Sequence, residues 1–136
     1  MQVRNTQQRK LVMDLMRGNL SHPTADEIYA LARRKEPRIS RGTVYRNLHF
    51  LVEAGEIARI SVPGSPDHFD SCLAEHHHLH CRRCGRLLDV PGVVFSLEQA
   101  VAASLARSGF VIEGVGVIFK GLCPDCSGAA SRSCEE

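Results

Sequence analysis

Two cysteine pairs constrain this chain more than any other feature of its sequence. Cys81 and Cys84 form one Cys-x2-Cys pair, Cys123 and Cys126 form a second, and 38 residues separate the two pairs. Each pair presents two thiolates from one tight turn, and two turns together supply the sulfur tetrahedron that Zn²⁺ prefers. The spacing therefore predicts a zinc site, and because four thiolates leave no position for a substrate, its predicted role is structural. The alternative is a set of reactive or simply buried cysteines.

Length and composition favour a small cytoplasmic protein. A chain of 136 residues suggests one domain, or two small domains that share their stability through a dimer. It lacks an apolar run of the roughly 18 to 20 residues that span a bilayer, so we expect no membrane partner. Met1 leads into polar sequence without a secretory signal. In a reducing cytoplasm, six cysteines favour metal binding over disulfides.

Charge is distributed unevenly along the chain. Residues 1–69 carry 11 Lys and Arg against 7 Asp and Glu, whereas residues 70–136 carry 6 against 8. The basic excess is concentrated in residues 33–46, RRKEPRISRGTVYR. A solvated surface accounts for many such runs, but a basic half joined to a metal-rich half also indicates nucleic acid as a partner.

The first half of the chain has the periodicity of three short helices and a hairpin. Apolar residues recur at helical spacing over residues 6–17, 24–36 and 40–54. Thr24 and Ser40 are the predicted N-caps of the second and third helices. Residues 57–70 alternate apolar and polar around the turn sequence PGSP, which predicts two strands. This order of elements is that of a winged helix-turn-helix.

The second half predicts a small α/β unit. Two short strands flank the first cysteine pair, an amphipathic helix follows over residues 93–109, and a β-branched run leads from residue 110 to the second pair. So small a sheet has an exposed edge, which favours dimerisation. The predicted fold is α+β: a winged helix-turn-helix DNA-binding domain (1–70), a hinge (68–75), a small α/β dimerisation and metal-binding domain (76–127) and a flexible tail (128–136).

A second group of metal-ligating side chains lies beside the first cysteine pair. His76 and His78 alternate along a predicted strand, so their side chains share a face, and Asp89 can come alongside on the paired strand. Asp70, at the end of the hairpin, lies six residues before His76. This set of nitrogen and oxygen ligands suits Fe²⁺ or Mn²⁺, although Zn²⁺ also binds such ligands, and it leaves room for one more. The alternative is a surface histidine tract with adventitious metal affinity.

The chain resembles the ferric uptake regulator (Fur) family from residue 3 to about residue 126. The resemblance rests on several segments that occur in the family's order: VRNTQQR, HPTADEIY, SRGTVYRNLHFLVEAGEI, HFD, HHHLHCRRCGRLLD and CPDC. It implies a metal-dependent repressor that binds a palindromic operator in double-stranded DNA as a homodimer. Peroxide is the one small-molecule signal that the resemblance suggests.

The resemblance also implies which residues hold metal. The family's structural zinc maps to Cys81, Cys84, Cys123 and Cys126, and its regulatory Fe²⁺ or Mn²⁺ maps to His22, Asp70, His76, His78 and Asp89. His22 would come from the DNA-binding half, so metal would fix the angle between the two domains. His77 and His80 are interpreted as bystanders.

Details of the resemblance favour one branch of the family. Iron-sensing members usually carry Glu where this chain has Asp70 and Asp89, and this aspartate pair resembles the peroxide-sensing branch. In that branch, bound ferrous iron leads to oxidation of a ligand histidine. The family's usual N-terminal extension is almost absent, so we expect some DNA backbone contacts to be missing. Cys72 is interpreted as a thiol sensor or a buried bystander, and Cys134 has no evident partner.

The third helix is the predicted recognition helix, inserted in a major groove. Tyr45 and Arg46 are predicted near base edges, because they lie off the apolar face that contains Val44. The residues predicted near phosphates or neighbouring bases are Ser40, Arg41, Thr43 and Asn47. Arg59, with the PGSP turn, is predicted to reach a neighbouring stretch of backbone.

Two other classes of function compete with this interpretation. A metallohydrolase would use a metal bound by His and Asp to activate water, but no HExxH motif or pair of catalytic carboxylates is present. A metal-storage protein or metallochaperone would bind metal but would have no use for a recognition helix. The sequence therefore predicts a regulator that is not an enzyme.

Overall fold

The computed structural model describes residues 2–19, 21–74, 76–90, 97–111 and 117–128. The chain forms two compact units, residues 1–75 and 76–136. The first contains α1 (Gln2–Met16), α2 (Ala25–Lys35), α3 (Arg41–Glu53), β1 (Ala58–Ile60) and β2 (His68–Asp70). The described residues of the second contain β3 (His78–Cys81), β4 (Leu87–Asp89), α4 (Leu97–Ala106), β5 (Ile118–Gly121) and α5 (Pro124–Ser127). Within the described ranges, every helix is too short or too polar to span a bilayer.

Side-chain caps determine where two helices of the first unit begin. Thr24 accepts a hydrogen bond from the backbone N–H of Glu27 at 3.3 Å, and Ser40 accepts one from Thr43 at 3.1 Å. Each cap satisfies a backbone donor that has no partner within its own helix. Helix α1 begins at Gln2 and not at residue 6 as predicted. Residues 2–5 contain no glycine or proline, so they can extend the helix towards the N-terminus.

The helices of the first unit enclose an apolar core, which the hairpin completes. Strands β1 and β2 are antiparallel, with Arg59 opposite Phe69. The core residues are Val12, Met16, Ile28, Ala32, Ile39, Val44, Leu48, Leu51, Ile57 and Phe69. A fully buried side chain of this kind contributes on the order of 1.5–3 kcal/mol, so the core is the main source of this unit's stability. The predicted order of a winged helix-turn-helix is confirmed.

The described residues of the second unit form a three-stranded sheet in the order β4-β3-β5. Strand β3 is antiparallel to β4 and parallel to β5, so the two strands predicted around the first cysteine pair are confirmed. Helix α4 occupies Leu97–Ala106 of the predicted 93–109 segment, and residues 91–96 lie outside the described residues. Residues 112–116 of the predicted strand run and 129–136 of the predicted tail also lie outside them. The α+β class predicted for the chain is confirmed.

Candidate metal centres and nucleic-acid interface

The parallel pairing of β3 and β5 brings the two cysteine pairs to the same end of the sheet. Cys81, the last residue of β3, is opposite Gly121, and Cys123 follows two residues later as the N-cap of α5. The four Sγ atoms all lie within 4.8 Å of one another. In a zinc tetrahedron with Zn–S bonds of about 2.3 Å, the sulfur atoms are about 3.8 Å apart. The Sγ atoms of Cys84 and Cys123 are 3.8 Å apart, so the cluster fits Zn²⁺.

Hydrogen bonds lower the pKa of two thiols in this cluster and raise the pKa of a third. The backbone N–H of Cys84 stabilises a thiolate on Cys81 and lowers the pKa of that thiol to about 5. The backbone N–H of Cys126 likewise lowers the pKa of the Cys123 thiol. The side-chain hydrogen bond to Cys123 raises the pKa of the Cys126 thiol to about 12. The cluster therefore carries thiolate charge, which attracts a divalent cation.

One arginine contacts both arms of the cysteine cluster. Arg86 donates from Nε to Cys84 Sγ and from Nη2 to Cys123 Sγ, each at 3.4 Å. Its Nη2 also lies 3.0 Å from Oδ2 of Asp125, between the two cysteines of the second pair. Neighbouring thiolates raise the pKa of the Arg86 guanidinium, which keeps it charged. The sequence analysis missed Arg86, because its contacts depend on a pairing of strands that are distant in sequence.

The second unit also contains a compact set of nitrogen and oxygen ligands. The Nε2 atoms of His76 and His78 lie 3.2 and 3.3 Å from Oδ1 of Asp89. This proximity follows from the sheet, because His78 is directly opposite Asp89 in the β3–β4 register. The two imidazole rings are 4.4 Å apart. Two nitrogen atoms and a carboxylate that share one face can hold a divalent ion of the Fe²⁺ or Mn²⁺ type.

The first unit contains a buried histidine–aspartate pair. Nε2 of His22 lies 3.3 Å from Oδ2 of Asp70, and their side chains are 2% and 6% exposed. His22 has a φ of +51°, a left-handed conformation that costs a residue other than glycine on the order of 1–2 kcal/mol. The strained backbone holds the His22 imidazole beside the carboxylate, where both groups can take part in metal binding.

His68 supports this strained segment. Its Nδ1 lies 2.7 Å from the backbone oxygen of His22, and because a carbonyl can only accept, Nδ1 must donate. The backbone N–H of Phe69 also donates to the carbonyl of Pro23 at 2.9 Å. The sequence analysis missed His68, although its position two residues before Asp70 on one strand places the two side chains on the same face.

Helix α3 presents a polar face away from the core. Tyr45 is 40% exposed, whereas Val44 is fully buried. The Tyr45 hydroxyl donates to Oδ1 of Asp26 at 2.6 Å, and Arg41 Nη1 lies 3.2 Å from the same oxygen. The hydrogen bond to Asp26 raises the pKa of Tyr45, because it stabilises the protonated phenol. Asp26, which the sequence analysis did not single out, thus restrains two predicted DNA contacts.

The sequence pattern of the Ferric uptake regulator family matches residues 1–118. The chain belongs to the Fur family. It is similar to the Peroxide operon regulator of Bacillus subtilis, with 31% identity over 127 residues that cover 92% of this chain and 85% of that protein. It is also similar to Transcriptional regulator FurA of Mycobacterium tuberculosis, with 36% identity over 128 residues, 92% of this chain and 84% of that protein. A solved zinc uptake regulator in complex with zinc and DNA is 25% identical, covers 91% of this chain and 83% of its own, and has a TM-score of 0.67.

Membership in the Fur family determines the class of protein. The chain is a metal-responsive transcriptional regulator and not an enzyme, so the metallohydrolase and metal-storage alternatives do not apply. The names of these proteins refer to different signals: the Bacillus subtilis protein is a peroxide operon regulator, whereas the DNA-bound structure is a zinc uptake regulator.

The position of Asn47 in this Fur-family chain differs from the prediction. Its side chain is only 7% exposed, and its Nδ2 donates to the Thr43 carbonyl at 2.9 Å within α3. The residue lies one helical turn after the buried Val44, so its side chain lies on the core side of the helix. Thr43 and Arg46 remain on the polar side, where Arg46 Nη2 donates to Thr43 Oγ1 at 3.2 Å.

Two further residues have contacts that the sequence analysis did not anticipate. Arg59 Nη2 lies 3.3 Å from Nδ1 of His49, and Arg59 Nε lies 3.7 Å from a carboxylate oxygen of Asp67. These contacts join β1 to α3 and to the end of the PGSP turn.

Cys72 is exposed, so the interpretation as a buried bystander is wrong. Its backbone N–H donates to Oδ1 of Asp70 at 2.9 Å and orients that carboxylate.

Proposed function

We propose that this chain is a metal-dependent repressor that binds palindromic operator DNA as a homodimer and senses peroxide through its regulatory metal. The observation that carries the proposal is the presence of two ligand sets of different chemistry in a chain that also contains a helix-turn-helix. Four sulfur ligands suit a closed structural ion, whereas imidazoles and carboxylates suit an exchangeable Fe²⁺ or Mn²⁺. The repressor would act in the cytoplasm, where it can reach the chromosome.

Helix α3 is the proposed reading helix. Tyr45 and Arg46 would reach base edges in a major groove, while Arg41 and the hydroxyls of Ser40 and Thr43 would contact phosphates. Exposure supports this assignment, since Tyr45, Arg46, Arg41 and Ser40 are all exposed. Arg59 would contact a neighbouring phosphate at the edge of the hairpin. The solved zinc uptake regulator, which is bound to DNA, supports the same mode of action here.

The homodimer would form through the second unit. Phe110 and Val111, just after α4, are 61% and 84% exposed. Exposed apolar side chains at the edge of a small unit are typical of an association surface. Two copies of α3 related by a two-fold axis would then read the two halves of a palindromic operator.

The proposed regulatory site combines ligands from both units: His22 and Asp70 from the first, and His76, His78 and Asp89 from the second. Its support is the donor chemistry of each set and the resemblance of these positions to the family's regulatory site. Because the ligands come from both units, metal binding would favour one arrangement of the units, the one that binds DNA. A coupling of about 1–3 kcal/mol is enough for such a switch.

Hydrogen peroxide is the proposed signal. Asp70 and Asp89 are the shorter carboxylates that the resemblance associates with peroxide sensors, and the similarity to the Bacillus subtilis regulator agrees with that branch. Ferrous iron, when bound, supplies the reduction of hydrogen peroxide that adds an oxygen atom to a neighbouring imidazole. His22 and His76 are the expected targets, and an oxidised imidazole is a poor ligand, so the site would lose its metal and the repressor its DNA.

The test compares Fe²⁺ with Mn²⁺ in the same protein. Zinc-containing protein is loaded anaerobically with either ion, bound to a duplex selected from a random pool in the presence of Mn²⁺, and treated with one equivalent of hydrogen peroxide. We expect only the Fe²⁺ form to release DNA, with a gain of one oxygen atom on the tryptic peptide that contains His22 or His76. Retention of DNA by both forms, without histidine oxidation, would instead support a plain iron-, manganese- or zinc-responsive repressor.

A further inference from the structure

Arg86 occupies a position that links the two arms of the cysteine cluster. It lies just after the turn that holds Cys81 and Cys84, and directly before β4. From there its guanidinium reaches one sulfur in each arm, Cys84 Sγ and Cys123 Sγ, at 3.4 Å. The same guanidinium lies 3.0 Å from the carboxylate of Asp125 in the second arm.

These contacts have two physical consequences. Four thiolates around Zn²⁺ leave a net charge of −2, and a permanently charged guanidinium beside them offsets half of it. The N–H groups also fix the direction of two sulfur atoms, in the way that outer hydrogen bonds orient the ligands of other metal sites. A guanidinium can donate to three acceptors at once, because its N–H groups point in different directions within one plane. A lysine ammonium is instead a compact point charge.

We propose that Arg86 is a positioning residue of the zinc site, which holds the second cysteine pair against the first and slows the loss of zinc. The inference rests on the proposed structural zinc and adds to it a residue that is not a ligand. Asp125 has a supporting role, since it anchors the guanidinium from the side of the second arm.

The experiment measures zinc loss from the full chain. Wild type, Arg86→Ala, Arg86→Lys and Asp125→Asn are mixed at pH 7 with excess 4-(2-pyridylazo)resorcinol, and the absorbance of the zinc complex gives the release rate. Arg83→Ala is the matched control, because Arg83 is an exposed arginine in the turn of the same cysteine pair. We expect zinc release to be about 10- to 100-fold faster in Arg86→Ala, the range typical of lost outer-sphere partners. Release should be intermediate in Arg86→Lys and Asp125→Asn, and unchanged in Arg83→Ala.

The outcomes separate this inference from the zinc site itself. If the wild-type protein does not bind one zinc ion per chain, or if that zinc does not require Cys81, both the structural zinc site and the inference are overturned. Stoichiometric zinc in the wild type, with equal release from Arg86→Ala and Arg83→Ala, overturns the inference alone. If Arg86→Ala does not fold, Arg86→Lys and Asp125→Asn carry the test, and wild-type release rates in both overturn the inference.

Discussion

The two ligand sets of this protein differ in where their members come from. The four cysteines of the sulfur set belong to the second unit, where the pairing of β3 with β5 brings their two pairs to the same end of the sheet. The proposed nitrogen and oxygen ligands are divided, with His22 and Asp70 in the first unit and His76, His78 and Asp89 in the second. An ion held within one unit stabilises that unit, whereas an ion that needs ligands from two units responds to their arrangement. The proposed division of ligands would therefore distinguish a structural site from a sensor.

The same contrast extends to the interiors of the two units. The first has a core of ten buried apolar side chains. Among the described residues of the second, the buried side chains are those of Cys81, Leu87 and Cys123 and the polar His78. Cys81 and Cys123 also belong to the proposed zinc site, so we expect zinc to contribute to the stability of this unit. The first unit is expected to fold without zinc, and the second is not.

The largest predicted effect is the loss of one thiolate. Cys123→Ser should abolish zinc binding and unfold the second unit, because structural zinc contributes on the order of 10 kcal/mol in small domains. Metal analysis and amide hydrogen exchange of residues 76–128 measure the two effects. Cys72→Ser, which removes an exposed cysteine outside the cluster, should keep its zinc and its exchange protection. A zinc-free Cys123→Ser protein with a fully protected second unit would contradict the contrast between the units.

The side chains of the two proposed ligand sets that lie together in the second unit follow short periods in the sequence. A Cys-x2-Cys turn is local, and the alternation of a strand brought His76, His78 and Asp89 to one face without knowledge of the tertiary structure. Arg86, His68 and Asp26 depend on contacts between elements distant in the chain, which periodicity does not specify.

Asn47 differs from its predicted environment for another reason. Its polar side chain suggested a DNA contact, yet its spacing of three residues from Val44 already placed it on the buried side of α3. In this case the position in the helix was more informative than the chemistry of the side chain.

The next effect concerns the divided ligand set. His22→Ala should weaken Mn²⁺ binding by at least about 100-fold, or about 2.7 kcal/mol, because it removes one ligand contributed by the first unit. Zinc content should not change, since the cysteines lie in the other unit. Isothermal titration with Mn²⁺ measures the affinity, and His77→Ala, a histidine outside the proposed set, is the control. Equal losses in both variants would show that the first unit contributes no ligand.

A smaller effect is expected on helix α3. Tyr45→Ala should cost about 1–3 kcal/mol of discrimination between selected and random duplexes. Tyr45→Phe removes only the hydroxyl that Asp26 restrains and should cost less. Fluorescence anisotropy with Mn²⁺-loaded protein measures both, and Glu53→Gln at the far end of α3 is the control. Unchanged discrimination in Tyr45→Ala would remove Tyr45 from the reading surface.

The smallest effect is a proton count at the cysteine cluster. With a pKa of about 5, Cys81 has already lost its proton at pH 7, whereas Cys126, with a pKa of about 12, still holds one. Zinc binding to the zinc-free protein should therefore release at least one proton but fewer than four. Calorimetry at pH 7 in buffers of different ionisation enthalpy gives the number, and a release of four would show that the cluster carries no thiolate before the metal arrives.

The most direct test of the account is DNA affinity as a function of the second metal, at constant zinc. Zinc-containing wild type and His22→Ala are titrated with a selected duplex, with and without Mn²⁺, and the zinc content is measured after each titration. We expect Mn²⁺ to raise wild-type affinity at least about tenfold, or about 1.4 kcal/mol, His22→Ala to lose this response, and both proteins to keep their zinc. Wild-type affinity that is the same with and without Mn²⁺ would contradict the division of the two sites into structure and sensor.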